Sequence, residues 1–359
     1  MIKNYIIIFV LSTLLTSCLT KEESLISYSN PEIEYWGRVD TTNINAAKIY
    51  WPGSSIKMNF EGESVHALFN EELGENYYNI IIDNEIISIL RTDSIKQYYE
   101  LASNLTKGKH NVEIFKRSEL GTTNFYGFKI NEEGKLLPKS VPKKRNIEFY
   151  GNSITAGYAI DDISGRDLHD SIYTNNYKSY GAITARHYDA KYHCVCKSGI
   201  GVMVSWDPLI MPEIYDKLNP TDISNNWDFN LYKPNIVVVN LFQNDSWLVN
   251  LPDHIEFKNR FVNNAPNEEY IINAYQEFLT DLRTHYPKAS IISTLGSMDA
   301  AKKGSKWIGY IESAVTNLND DNIYTHFMPY IKSKAHPSIE DNQIMSNSLI
   351  DFIDNNIDW

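Results

Sequence analysis

Cysteine is scarce: three in 359 residues, at positions 18, 194 and 196. So few thiols exclude a disulfide-stapled scaffold, and no second Cys or His pair stands at ligand spacing, so neither a metal site nor another cofactor is expected. Cys194 and Cys196 point to one face of a strand, where a bond between such close neighbours is strained, and are expected as buried free thiols. Positive charge is also short. Lys and Arg number 33 against 45 Asp and Glu, a formal net charge of −12, which argues against the basic stripe that a nucleic-acid partner requires. The apolar run Ile6 to Leu15 is too short for a comfortable membrane span.

What is present begins with a lysine, that short run, and the small polar ending Leu15-Thr16-Ser17-Cys18. Residues 1–18 read as a signal peptide. Its ending resembles a bacterial lipobox, which implies cleavage before Cys18, lipidation of the Cys18 thiol, and an exported protein anchored on the periplasmic or surface side of the bacterial cell envelope. The alternative is a plain secretory signal with an incidental cysteine. The lipid anchor is then the expected membrane contact, and the polar, patternless residues 19–30 are its tether. With 24 Tyr and 7 Trp, the chain suits a neutral ligand with apolar ring faces, such as sugar, although most aromatics fill cores.

The length predicts two domains. Residues 31–140 show period-two stretches at Ser55–Phe60, Ser64–Phe69, Tyr77–Ile82, His110–Phe115 and Phe125–Ile130, punctuated by Asp83-Asn84, Gly108 and Gly121. That grammar predicts an all-β sandwich. After the basic stretch Pro138–Arg145, residues 146–359 alternate strands and helices. Strands are expected at Ile147–Tyr150, Lys191–Lys197, Ile236–Asn240 and Ala289–Ser293, with helices at Asn176–Tyr188, Glu268–Tyr286 and an amphipathic C-terminal helix carrying Ile344, Met345, Leu349 and Phe352 or Ile353. This predicts a doubly wound parallel α/β domain, with its ligand at the carboxyl ends of the strands.

Polar blocks fall behind these strands. Gly151-Asn152-Ser153 follows the first, where a tight turn can expose a serine hydroxyl; alone it reads first as a helix-capping serine. Ser198-Gly199-Ile200-Gly201 follows the second and Asn244-Asp245 the third, placing the Gly199 amide and the Asn244 side chain where either could donate to an oxyanion; alone, each reads as an ordinary turn. His336-Pro337-Ser338 precedes the C-terminal helix and offers a general base. Tyr158, Trp206 and Trp247 are candidate sugar-stacking aromatics with a packing role as the alternative, and Trp247 is taken as a substrate contact because it closely follows Asn244.

In this order the blocks resemble the four-block signature of SGNH hydrolases. The chain is also similar to carbohydrate esterase family 2, through Gly108–Glu119 and Phe125-Tyr126-Gly127-Phe128 in the first domain, and Gly151–Tyr158, Ser179-Tyr180-Gly181, Ser198–Gly201, Met211-Pro212, Trp227-Asp228-Phe229 and Asn240-Leu241 in the second. The resemblance implies an N-terminal jelly roll before an SGNH (flavodoxin-like) domain. It also implies removal of O-acetyl groups from carbohydrate of xylan or mannan type, with Ser153 as nucleophile, His336 as base, and Ser153 N–H, Gly199 N–H and Asn244 as the oxyanion hole. Three departures stand out. Positions 333 and 334, where an orienting Asp is expected, hold Ser and Lys, so the implied machinery is a Ser-His dyad oriented by a backbone carbonyl or another polar group. Asn152 replaces the commoner Asp, and Phe242-Gln243 replaces Gly-Thr, with Phe242 either narrowing the pocket or packing. A general esterase for longer acyl chains and a surface glycan-binding lipoprotein with a decayed site are the competing readings.

Overall fold

The computed structural model describes residues 25–262, 264–332 and 335–359; Cys18, Ser333 and Lys334 lie outside them. The first half is two antiparallel sheets face to face. One runs Val39–Asp40, Ala47–Ile49, Thr123–Ile130, Val65–Glu71, Gln97–Ala102, and the other Lys135–Leu136, Ser55–Glu61, Lys109–Lys116, Tyr77–Ile82, Glu85–Arg91. Alternation does the sorting: Val65, Ala67 and Phe69 are buried while His66, Leu68 and Asn70 between them are only half-buried, because successive side chains leave opposite faces of a strand. Inward residues such as Phe60, Phe69, Val112 and Phe125 close the core between the sheets. Asp83 and Asn84, with φ of 52° and 70°, form the two-residue turn that joins Tyr77–Ile82 to Glu85–Arg91, a left-handed pair that these residue types tolerate.

The second half is a five-stranded parallel sheet in the order Lys191–Cys196, Asn146–Gly151, Ile236–Asn240, Ser290–Leu295, Ile323–Phe327. Chain order 2-1-3-4-5 places the switch point at the strand Asn146–Gly151. Ile236–Asn240 is buried at every residue, and its alternate side chains feed two cores. Val237 and Val239 pack with Phe278, Leu282, Ile311 and Ala314 of the helices Glu268–His285 and Lys306–Leu318. Ile236 and Val238 pack with Ala182, Ala185, Met345 and Leu349 of the helices Tyr180–His187 and Ile339–Asn356. A strand covered on both faces has no polar side, which is why it reads as a continuous apolar run.

Two expectations are corrected. The helix expected from Asn176 is a 3-10 turn, Asn176–Lys178, followed by an α-helix from Tyr180; Ser179 caps the latter, and Asn176 spends its side chain on the Thr155 carbonyl at 2.9 Å. On the C-terminal helix Met345, Leu349 and Ile353 are buried as expected, but Ile344 is 47% exposed and Phe352 is only half-buried; buried Asn342 and Ser346 complete the inner face. Cys194 and Cys196 are free and buried. Among the described residues no helix is long and apolar enough to cross a membrane, and no three His, Cys, Asp or Glu side chains cluster as a metal site.

The halves share cores. Tyr50 and Trp51 from the sandwich belong to one α/β core, Ile81 and Phe115 to the other. Arg38, 1% exposed, donates to the Tyr215 and Lys217 carbonyls, to Tyr150 Oη at 2.8 Å and to Glu148 Oε1 at 3.2 Å.

Candidate active site

Register brings the motif blocks together. Gly151 pairs with Cys196 on one side and Asn240 on the other, so the chain segments behind the three strands leave the sheet at one level. Gly151 must be glycine, because a Cβ would lie 2.0 Å from Thr155 Oγ1. Asn152 then caps the short helix Ser153–Ala156, its Oδ1 accepting the Ile154 N–H at 3.0 Å. An N-cap needs a side-chain acceptor, so Asn serves where Asp is commoner. Ser153 is the first helical residue, 8% exposed, with its own N–H free of the helix ladder.

His336 Nε2 stands 2.8 Å from Ser153 Oγ, and its Nδ1 stands 3.0 Å from Asp167 Oδ2. The His336 amide N–H also donates to Asp167 Oδ1 at 2.9 Å. The polar partner that the sequence left open for the imidazole is a carboxylate, and it comes from the loop after the Ser153–Ala156 helix instead of the residues just before the histidine. Asp167 adopts φ of 57°, a left-handed conformation open to Asp. Burial opposes its ionisation, but the His336 ring and amide hold the Asp167 carboxyl below the usual carboxylate range. Asn342 steadies the histidine turn, donating to the Pro337 and Ser338 carbonyls at 3.1 and 2.9 Å. The Tyr158 ring packs 4.8 Å from the His336 ring, and its hydroxyl hydrogen-bonds with His169 Nδ1 at 2.5 Å.

Gly199, with φ of +78°, turns the chain behind the second strand where Trp206 leaves no room: a Cβ would meet the Trp206 Cβ at 3.2 Å. Asn244 Nδ2 donates to the Ile200 carbonyl at 2.8 Å, and its Oδ1 accepts the Trp206 indole N–H at 3.1 Å. These two bonds fix which end of the amide faces which partner and leave the second Nδ2 hydrogen for a ligand. Buried Asp245 accepts the amides of Val202, Met203 and Val204 at 2.7–3.2 Å, locking the loop after Gly199 to the Asn244 helix. Burial pushes its carboxyl up to about 6 against the pull of those donors.

Phe242 has φ of 80°, the conformation in which a glycine would be unstrained. Its fully buried ring packs on Tyr275 and Trp307, so it packs the core and does not line the pocket. The Trp247 indole N–H lies 3.0 Å from both Asp299 oxygens, so its nitrogen is already paired. Trp206, 43% exposed, is the tryptophan that lies against Gly199 and donates to Asn244.

A serine behind the switch-point strand, the Gly199 and Asn244 segments behind its two neighbours and a histidine ahead of the last helix are the arrangement of the SGNH hydrolases, and that is the class of this fold. Residues 35–139 match the family described as carbohydrate esterase 2 N-terminal. A family two carbohydrate esterase from Clostridium thermocellum, solved in complex with cellohexaose, is 30% identical, with a TM-score of 0.80 over 90% of this chain and 98% of that one. The cellulase/esterase CelE of Acetivibrio thermocellus is 30% identical over 345 residues, 92% of this chain, which spans 40% of that enzyme's length. An acetylxylan esterase / glucomannan deacetylase of Cellvibrio japonicus is 27% identical over 357 residues, 96% of this chain and 94% of that enzyme. The chain belongs to carbohydrate esterase family 2.

Proposed function

We propose that this protein hydrolyses O-acetyl esters of plant-type polysaccharides, xylan or glucomannan, by a Ser153-His336-Asp167 triad. The observation that carries the reading is the chain of contacts from Ser153 Oγ through His336 to Asp167, at 2.8 and 3.0 Å. Asp167 accepts a hydrogen bond from Nδ1–H and so leaves Nε2 as the acceptor for the serine hydroxyl. His336 takes that proton as Oγ attacks the acetyl carbonyl, and the Ser153 and Gly199 amides with the Asn244 side chain receive the oxyanion. Collapse expels the sugar oxygen, which takes the proton from His336. Water then repeats the sequence on the acetyl-serine, releasing acetate and restoring Ser153. Similarity to the acetylxylan esterase / glucomannan deacetylase of Cellvibrio japonicus supports the acetyl and glycan choice. Acetate release from acetylated xylan and glucomannan tests it: the wild type is expected to release acetate, and Ser153→Ala and His336→Ala to lose at least about 10³-fold of kcat. A wild type that binds these glycans without releasing acetate leaves a binding protein in its place.

The same proposal places the enzyme on the cell envelope through a lipid on Cys18, on the strength of the lipobox-like ending at that residue. Metabolic labelling with a clickable palmitate analogue should mark the wild type and not Cys18→Ala; equal labelling would remove the anchor.

A further inference from the structure

The sandwich reaches into the site at one turn. Strand Lys109–Lys116 runs into residues 117–120, and the buried Lys116 ammonium holds that turn by donating to the carbonyls of Tyr50, Ser118 and Leu120 at 3.1, 2.9 and 2.6 Å. Asn76 braces it from outside, accepting from Ser118 Oγ and donating to the Leu120 carbonyl at 2.7 Å. From this rigid base the Glu119 carboxylate crosses to the α/β half, where both oxygens accept the Ser198 N–H, at 3.0 and 2.8 Å. Ser198 immediately precedes Gly199, whose left-handed backbone sets the direction of the next amide. Among the described residues no protein group claims the Gly199 N–H, the donor assigned above to the oxyanion.

We propose that Glu119 is a positioning residue of the oxyanion hole, fixing the Gly199 amide by holding the amide of Ser198. The inference rests on the esterase reading of Ser153 and Gly199. Successive peptide planes meet at one Cα, here that of Ser198, so a carboxylate that pins the Ser198 amide leaves only the two Ser198 dihedrals to turn the Gly199 amide. An oxyanion donor acts only when aimed in advance at the charge that develops, and a misplacement of about 1 Å can cost about a hundredfold. Glu119 thereby makes the sandwich a working part of the site. The effect should appear in the chemical step and not in ground-state binding, since the oxyanion exists only in the transition state.

Steady-state kinetics on 4-nitrophenyl acetate and acetylated xylan, with Glu119→Ala and Glu119→Gln beside the wild type, test this. Glu119→Ala is expected to lower kcat by about 10- to 100-fold with KM within about twofold, and to slow phosphonylation of Ser153 by a fluorophosphonate in proportion. Glu119→Gln keeps an acceptor for Ser198 and should retain kcat within about threefold. Should Glu119→Ala melt below the assay temperature, Glu119→Asp, with the carboxylate withdrawn by one methylene, is expected to show the same selective loss of kcat. Wild-type kcat in the alanine or aspartate variant, or a loss confined to KM, overturns the proposal while leaving the esterase reading intact. A wild type inactive on both esters overturns the two together.

Discussion

Asp167 carries the histidine in two ways at once, one oxygen on the ring and the other on the backbone amide of the same residue. The amide bond fixes where the carboxylate sits, so the ring cannot turn without losing a partner. Asp167→Asn replaces the acceptor with an amide that can present N–H to Nδ1 and favour the wrong tautomer; kcat on acetyl esters should fall by about 10²- to 10⁴-fold with little change in melting temperature. Wild-type kcat in that variant would mean that something else orients the imidazole. No local signal in the sequence singles out this residue. Asp161, Asp162, Asp167 and Asp170 crowd one segment, and which of them meets His336 is decided by tertiary contacts 169 residues apart. The places of Ser153, Gly199, Asn244 and His336 behind strands or ahead of a helix were legible from local pattern, whereas their grouping as one site rested on the order of the blocks and its resemblance to the SGNH signature.

At the scale of elements, legibility follows burial. Strands with one wet face alternate, and strands with none run continuously apolar, so the strands named in both halves appear where expected. Glu85–Arg91 escaped because it is an edge strand exposed along nearly its whole length, where no alternation is imposed. Tryptophan partners were not legible: proximity in sequence favoured Trp247, whose indole N–H the Gln243–Leu248 helix turns to Asp299, while the indole bonded to Asn244 is that of Trp206. Trp206 reaches the site from a loop whose path depends on Asp245. The strained backbone at Phe242 shows the same limit, since a residue type alone does not reveal that its ring is a core contact.

Across the whole molecule the two halves are joined through a buried ion pair. Burial alone would raise the Glu148 pKa, but Arg38 at 3.2 Å, with His193 and Tyr286, brings it down from 4.5 to about 2. The unfolded chain therefore binds this proton first, so the stabilisation is complete above about pH 4.5 and is lost as pH falls from there towards 2. The melting temperature should drop on acidification from about pH 5 to about pH 3, and Glu148→Gln, less stable at neutral pH because Arg38 is left buried without its counter-ion, should show a shallower drop. Equal slopes in thermal melts of the two proteins would assign the acid sensitivity to other carboxylates. The placement of the acid has a mechanical consequence as well. An acid two or three residues before its histidine travels with it, whatever the loop does. Here acid and base hang from separate segments, and the acid's segment is moored at Asp161 to Arg117 of the sandwich and to Lys178. The contacts from Asp167 through His336 to Ser153 are thus made only while both segments are seated, and a shift of either breaks them without moving Ser153.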